Sequence, residues 1–168
     1  MRAWALLLAL IAGPAAWADA PLPPPEPYFF ITDSRVHVTG NLNRDVVMIE
    51  PTSGIDDRWE IPGWRRNVHP SGDGRYVLIG NPGLNLLSYS GDPDITVIEI
   101  WAAPGELIGT VPLDSLMNPD DLQPTTSHYL WIAGYQWEGT GWRFLTPDGQ
   151  FWFLTPDPLR LRRAGAGR

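Results

Sequence analysis

Cysteine and lysine are both absent from the 168-residue sequence. Without cysteine the chain forms no disulfides, and it lacks the thiol that carries the acyl chains of a bacterial lipoprotein. There is also no Asn-x-Ser/Thr sequon, the acceptor for N-glycosylation. For an exported chain, these absences favour a bacterial periplasmic or secreted protein over a eukaryotic one. They leave core burial alone to hold the fold together.

A long hydrophobic run is missing as well, since a membrane-spanning helix needs roughly 20 apolar residues. The apolar run Ala5–Ala12 follows Arg2 and is cut short by Gly13 and Pro14. It is followed by the A-x-A sites Ala16-Trp17-Ala18 and Ala18-Asp19-Ala20. This is the pattern of a secretory signal peptide over residues 1–20, with cleavage after Ala18 or Ala20. The sequence therefore predicts a periplasmic or secreted protein that does not span the membrane.

Because lysine is absent, all 12 cationic residues are arginine. From Pro21 to Leu159 there are 7 Arg against 18 Asp and Glu, a balance of −11, whereas residues 160–168 hold four Arg and no acid. An acidic body argues against nucleic acid as a partner. The C-terminal residues 159–168 are predicted to form a basic, disordered tail, and the proline-rich residues 21–27 an extended linker.

Between these ends, residues 28–158 have the pattern of a single all-β domain. The segment from His69 to Leu113 alternates apolar runs with Gly, Pro, Asn or Asp at each break, which predicts antiparallel strands joined by turns. The predicted core residues are Val47, Ile49, Tyr76, Leu78, Val97, Ile98, Trp101, Leu130, Ile132, Phe144 and Phe153.

Two internal similarities run through this domain. The segment VVMIEPTSGIDDRWEIPG, which starts at Val46, parallels TVIEIWAAPGELIGTVPL, which starts at Thr96. The hairpin sequence SGDGRYVLI, from Ser71, parallels TPDGQFWFL, from Thr146, and each places Asp-Gly where a hairpin needs left-handed backbone.

The run Val46–Gly80 resembles one repeat of the β-propeller proteins of the WD40-like and surface-layer types, and the Thr96–Leu113 segment resembles the start of another. The resemblance implies antiparallel meanders like about three propeller blades, and it implies no particular function. A closed propeller needs at least four blades. The sheets are therefore expected to pack as a sandwich or prism, the alternative being an incomplete propeller that leaves sheet edges open.

One stretch, from Leu113 to Ser127, interrupts the β pattern. Asp114 is predicted to cap a short helix over Ser115–Met117, and Asp120 can cap a second. Long loops on a β scaffold often carry function, so Asp120 and Asp121 are candidate binding residues.

Tryptophan is abundant, with seven residues beyond position 20. Exposed aromatic rings beside carboxylates hold sugars by stacking and hydrogen bonding, whereas buried rings fill a core. Trp101, Trp131 and Trp152 fit the core interpretation. The segment Tyr135–Trp142 is predicted to be a glycine-rich loop, which leaves both interpretations open. Its candidate binding residues are Tyr135, Trp137, Glu138 and Trp142.

The sequence contains no recognisable pattern for catalysis or metal binding. The histidines at 37, 69 and 128 lack ligand spacing, and the Gly91–Asp94 loop has too few oxygens for calcium, so structural roles are expected. There is no G-x-S-x-G elbow, phosphate-binding glycine loop or S-x-x-K motif. No catalytic residue and no cofactor is predicted. The leading hypothesis is an exported, non-enzymatic protein-interaction or structural module. The alternatives are a carbohydrate-binding module using exposed Trp and, more weakly, a small hydrolase.

Overall fold

The computed structural model describes residues 24–80, 86–88, 95–124 and 128–165. The predicted signal peptide, the start of the proline-rich linker, the Gly91–Asp94 loop and the last three residues lie outside these ranges. Within them the chain is all-β, as predicted, with helical segments limited to three-residue 3₁₀ turns. No helix in this part of the chain is long and apolar enough to cross a membrane.

The strands form four antiparallel sheets that do not close into a barrel. Sheet A contains β1 (Tyr28–Ile31), β2 (His37–Asn41), β3 (Val46–Glu50) and β4 (Trp59–Pro62). Sheet B contains β5 (Val68–Pro70), β6 (Tyr76–Gly80), β8 (Thr96–Ala102) and β9 (Glu106–Pro112). Sheet C has the order β10 (Gln123–Pro124), β11 (His128–Leu130) and β7 (Leu86–Ser88). Sheet D contains β12 (Gly134–Glu138), β13 (Gly141–Leu145), β14 (Phe151–Pro156) and β15 (Leu159–Arg163).

Sheet B is the middle layer, since both of its faces are buried. Val77 and Ile79 pack with the inner face of sheet A in one apolar cluster. Leu78, between them in β6, points the other way and joins the cluster formed with sheet D and sheet C, which we call the main apolar cluster. Neighbouring residues of a strand point to opposite faces, so sheets A and D cover opposite sides of sheet B.

Most of the predicted core is confirmed. Tyr76, Leu130 and Phe153 are exceptions, because each is half-buried. In β14 the sequence Phe151-Trp152-Phe153-Leu154 is apolar throughout, so alternation could not select the inward face. The structure buries Trp152 and Leu154. Trp101 and Trp131 are also buried, as the core interpretation predicted.

The two Asp-Gly turns share one hydrogen-bond pattern. Ser71 and Thr146 each donate their hydroxyl to the aspartate two residues later, at 2.6 Å in both turns. Gly74 and Gly149 follow with φ of 74° and 80°, which confirms the predicted left-handed backbone. The turns occupy different places, however. The turn at Ser71 joins β5 and β6, the first two strands of sheet B, whereas the turn at Thr146 joins β13 and β14, the second and third strands of sheet D.

Four local predictions are corrected by the structure. Tyr135–Trp142 is a hairpin of β12 and β13 rather than a loop, because Gly139 and Thr140 suffice for a two-residue turn. The chain does not end its ordered part at Pro158, since residues 159–163 form β15 instead of disordered tail. The first 3₁₀ turn is Leu113–Ser115 and has no side-chain cap, so Asp114 is not a cap. The second, Pro119–Asp121, is capped by Asn118 rather than by Asp120.

Candidate binding cleft

A cleft of about 270 Å³ lies where sheets A, B and D meet. The β1–β2 turn (Thr32–Ser34) forms one wall, and the chain from Val68 to Gly72, which includes β5, forms the second. Gln136, Trp137 and Trp142 of the β12–β13 hairpin close it. We call it the Trp137 cleft. It combines aromatic rings with hydroxyl, amide and carboxylate groups, the mixture typical of small-molecule sites.

The two tryptophans of the cleft have different roles. Trp137 and Trp142 lie directly opposite each other on the paired strands, with ring centroids 4.9 Å apart and planes at 76°. Trp142 is fully buried, and its indole N–H donates to the carbonyl of His69 at 3.0 Å. Trp142 therefore fixes sheet D to β5. The sequence left open whether Trp142 is exposed, and the structure buries its ring in the apolar cluster shared by sheets B and D.

Trp137 is half-buried and forms the aromatic wall of the cleft. Its indole Nε1 lies close to Gly72, where an added Cβ would come within 2.9 Å. Glycine at position 72 thus gives the ring room to lie against the β5–β6 turn. Because the ring is held in place but not enclosed, one part of it remains available to a ligand.

His69 lies at the floor of the cleft. Its imidazole contacts the Tyr135 ring at 4.5 Å between centroids, and Nε2 contacts the Asn67 side-chain oxygen. Burial lowers the pKa of His69 to about 4, so the ring is neutral at pH 7. Burial also raises the pKa of Tyr135 well above its usual value. His69 therefore contributes a neutral ring to the floor of the cleft.

The Tyr135 hydroxyl is buried and has no hydrogen-bond partner in the described ranges. It lies against Gly80, where a Cβ would come within 2.5 Å. Tyr135 thus packs from β12 against β5 and β6, and it does not line the Trp137 cleft.

A second, larger concavity of about 450 Å³ runs along the β12–β13 hairpin and reaches Phe151. Arg143 crosses it, with its guanidinium 4.4 Å from the Phe151 ring and 3.8 Å from the Glu138 carboxylate. These contacts cover the aromatic ring. We therefore regard this concavity as part of the outer face of sheet D and the Trp137 cleft as the candidate site.

The structure brings only some of the predicted site residues together. Tyr135, Trp137, Glu138 and Trp142 share one hairpin, but Glu138 is exposed outside the cleft. Asp120 and Asp121 are exposed on their own 3₁₀ turn and do not line the cleft.

Sequence reasoning missed the polar walls of the cleft. Gln136 lies in the segment that was predicted to be a loop, and nothing in the sequence marks Asp33 or Ser34 as binding residues. Asp33 and Ser34 belong to the β1–β2 turn of sheet A, so only the long-range packing of sheets A, B and D brings them to Trp137. No local pattern encodes that packing.

The described polar groups that line the cleft include a single carboxylate. Asp33 is the one carboxylate among its described lining residues, whereas glycoside hydrolysis uses two facing carboxyl groups. The described residues contain no cluster of three or more His, Cys, Asp or Glu side chains suited to a metal ion. An aromatic wall, a carboxylate and an amide are groups that hold sugar hydroxyls and ring faces.

Comparison with profiles of known protein families, with curated proteins and with solved structures finds no match to this chain.

Proposed function

We propose that the chain is an exported, non-enzymatic β-domain that binds another protein through the free edge of sheet A. The observation that carries this proposal is strand β1. It pairs with β2 on one side, and no other strand in the described ranges pairs with its second side. Its edge therefore offers unpaired backbone N–H and C=O groups to an added strand.

The side chains of β1 strengthen the case. Phe29 is 61% exposed and Ile31 is 52% exposed, and they lie on the same face of sheet A. Phe30, on the opposite face, is exposed as well. Three successive exposed apolar residues on an edge strand are unusual for a protein that works alone, because such an edge promotes unwanted pairing. A partner that adds a strand satisfies the backbone and covers these side chains.

Site-specific photo-crosslinking in the bacterial host tests this proposal. A photoreactive residue at Phe29 is expected to give a discrete protein adduct, whereas one at Ile55, 60% exposed on a 3₁₀ turn, is expected to give none. The double variant Phe29→Ser/Ile31→Ser should abolish capture of that partner. The matched variant Ile55→Ser/Leu107→Ser removes two other exposed apolar side chains and should leave capture intact.

Equal adducts from both positions, or none from Phe29, would overturn the β1 contact. The mass of the purified product tests export in the same extract. A chain starting after Ala18 or Ala20 is expected, and a product that retains residues 1–20 contradicts export.

The three four-stranded sheets also support a relation to propeller blades. Sheets A, B and D are antiparallel and packed face to face, and two of their turns share one hydrogen-bond pattern. We propose that they are blade-like units, in agreement with the resemblance of the Val46–Leu113 region.

The Trp137 cleft supports a second candidate function, the binding of a saccharide. Its volume of about 270 Å³ accommodates one sugar ring, and Trp137, Asp33 and Gln136 supply stacking and hydrogen-bonding groups. Phe30 of β1 also lines the cleft, so the two surfaces share one residue. Phe29 and Ile31 do not line it, and substitutions there test the β1 contact separately.

Titration of intrinsic tryptophan fluorescence with soluble cell-wall and plant oligosaccharides checks this candidate. Trp137→Ala should lower the affinity about tenfold, corresponding to about 1.4 kcal/mol, because the ring that a sugar would stack on is lost. Trp64→Ala, which removes a half-buried tryptophan outside the cleft, should leave the affinity unchanged. A spectrum that no oligosaccharide alters would exclude the saccharide.

A further inference from the structure

Sheet D also has a free edge, formed by strand β15. Strand β15 is the last strand of sheet D and pairs with β14 on one side only, as far as the described residues show. Its sequence, Leu-Arg-Leu-Arg-Arg, places arginines on both faces of the strand. Arg160 and Arg162 lie on the outer face, and Arg163 lies on the inner face opposite Trp152.

The leucines of β15 lie on the inner face of sheet D, where Leu161 is half-buried and Leu159 remains 39% exposed. Leu161 packs against the main apolar cluster, and Leu159 contacts Gly109 of β9. The guanidinium groups are partly fixed by aromatic rings: Arg162 lies 4.8 Å from the Phe153 ring and Arg163 lies 5.4 Å from the Trp152 ring. The strand is thus held in place by its leucines and presents ordered cations along its free edge.

Within the described part of the chain, the arginines of β15 have no carboxylate partner, unlike other arginines. Arg44 has Glu60 at 2.8 Å, Arg65 has Glu99 at 3.9 Å, and Arg143 has Glu138 at 3.8 Å. No described carboxylate forms such a pair with Arg160, Arg162 or Arg163. The chain as a whole carries a formal charge of −7, so an unpaired basic edge stands out against an acidic surface.

We propose that β15 binds an extended acidic segment of a partner protein, which adds to sheet D as a further antiparallel strand. The partner's backbone pairs with the free edge, and its carboxylates lie opposite Arg160, Arg162 and Arg163. The inference extends the interaction function to a second surface and does not depend on the β1 contact.

Charge decides which strands can pair with this edge. Like charges placed directly opposite each other on paired strands are destabilising, so a second copy of β15 is rejected. The arginines therefore prevent self-association and select an acidic strand at the same time.

An anionic membrane is a poorer match for β15 than an acidic strand. A lipid surface can neutralise the arginines, but it cannot hydrogen-bond the row of backbone groups along the edge. A peptide strand satisfies both the charges and the backbone.

A fluorescent peptide with the core Glu-Glu-Val-Glu-Val, flanked by serines, tests the inference with the full mature chain. In an antiparallel alignment its three glutamates lie opposite Arg163, Arg162 and Arg160, and its valines lie opposite the two leucines. We expect saturable binding by fluorescence anisotropy that weakens with added salt. The same peptide N-methylated at alternate residues loses backbone donors and should not bind if its methyl groups face β15.

The variant Arg160→Glu/Arg162→Glu changes two exposed side chains and should weaken peptide binding by at least about tenfold. The matched variant Arg58→Glu/Arg75→Glu makes the same change in charge at exposed sites elsewhere and should bind as the unaltered chain does. Far-ultraviolet circular dichroism shows whether both variants keep the fold.

Three results would overturn the inference. The first is equal binding by the two double variants. The second is equal binding of the unmethylated peptide and of two peptides N-methylated at the odd or at the even positions. The third is sedimentation with anionic phospholipid vesicles in place of peptide binding. A chain that fails these tests but still gives adducts at Phe29 retains the proposed function. In that case only the β15 contact is rejected.

Discussion

Replacement of Trp142 with alanine is expected to lower the free energy of unfolding by about 3–5 kcal/mol, the usual cost of deleting a fully buried large aromatic side chain. The ring is fully buried against the main apolar cluster, opposite Leu154 on β14. Its loss also leaves the His69 carbonyl without the indole donor that it accepts from at 3.0 Å. Domains of this size are typically stable by about 5–15 kcal/mol, so the variant should be marginal. Urea unfolding followed by circular dichroism measures the change.

Two further substitutions show how much of this loss of stability comes from the buried ring of Trp142 and how much from its hydrogen bond. Trp142→Phe keeps an aromatic ring but loses the N–H, and its effect should lie between those of Trp142→Ala and no change. Trp137→Ala removes the half-buried neighbour directly across the hairpin and should cost clearly less than Trp142→Ala. Similar losses from Trp137→Ala and Trp142→Ala would contradict the division into a structural and an available tryptophan.

Acidification is expected to destabilise the fold through His69. Burial lowers its pKa from 6.5 to about 4 in the folded chain, so the unfolded chain binds the additional proton between these values. The stabilising contribution of the neutral ring is complete above about pH 6.5 and is lost as the pH falls toward 4. It amounts to at most about 3 kcal/mol, because the ring is only half-buried at the cleft and solvent reduces the penalty on its charged form.

Thermal melts of the unaltered chain and of His69→Gln at several pH values check this contribution. Carboxylates affect both proteins, so the difference between their stabilities isolates His69. That difference should change between pH 7 and pH 4.5, in the direction of a relative gain for His69→Gln at low pH. A parallel course for the two proteins would show that His69 does not titrate as described.

Strand identity was predictable where turn chemistry was unambiguous. Asp73-Gly74 and Asp148-Gly149 mark hairpins in the sequence, and both adopt the expected left-handed glycine. Strand β15 was missed because Pro156 and Pro158 indicate an end, although the alternation of Leu and Arg after them has the period of a strand. Asp157 and Pro158 form the turn between β14 and β15 instead.

The sequence was sufficient to select candidate residues in the Tyr135–Trp142 segment, but not to predict the cleft that surrounds Trp137. Trp137 could be selected because it lies between glycines among polar residues. The burial of Trp142, five positions later, depends on β5, which is more than 70 residues away in the sequence. Such long-range contacts determine which of two similar side chains faces solvent, and the alternation within one strand does not contain that information.

The position of sheet B between sheets A and D has a consequence for biosynthesis. Ribosomes make proteins from the N-terminus, so sheets A and B are completed while the strands of sheet D are still missing. Leu78, Ile98 and Ile100 then have no cover from sheet D, although they belong to the cluster that it completes. The nascent chain therefore exposes an apolar surface until its final segment emerges. Holding chaperones recognise surfaces of this kind.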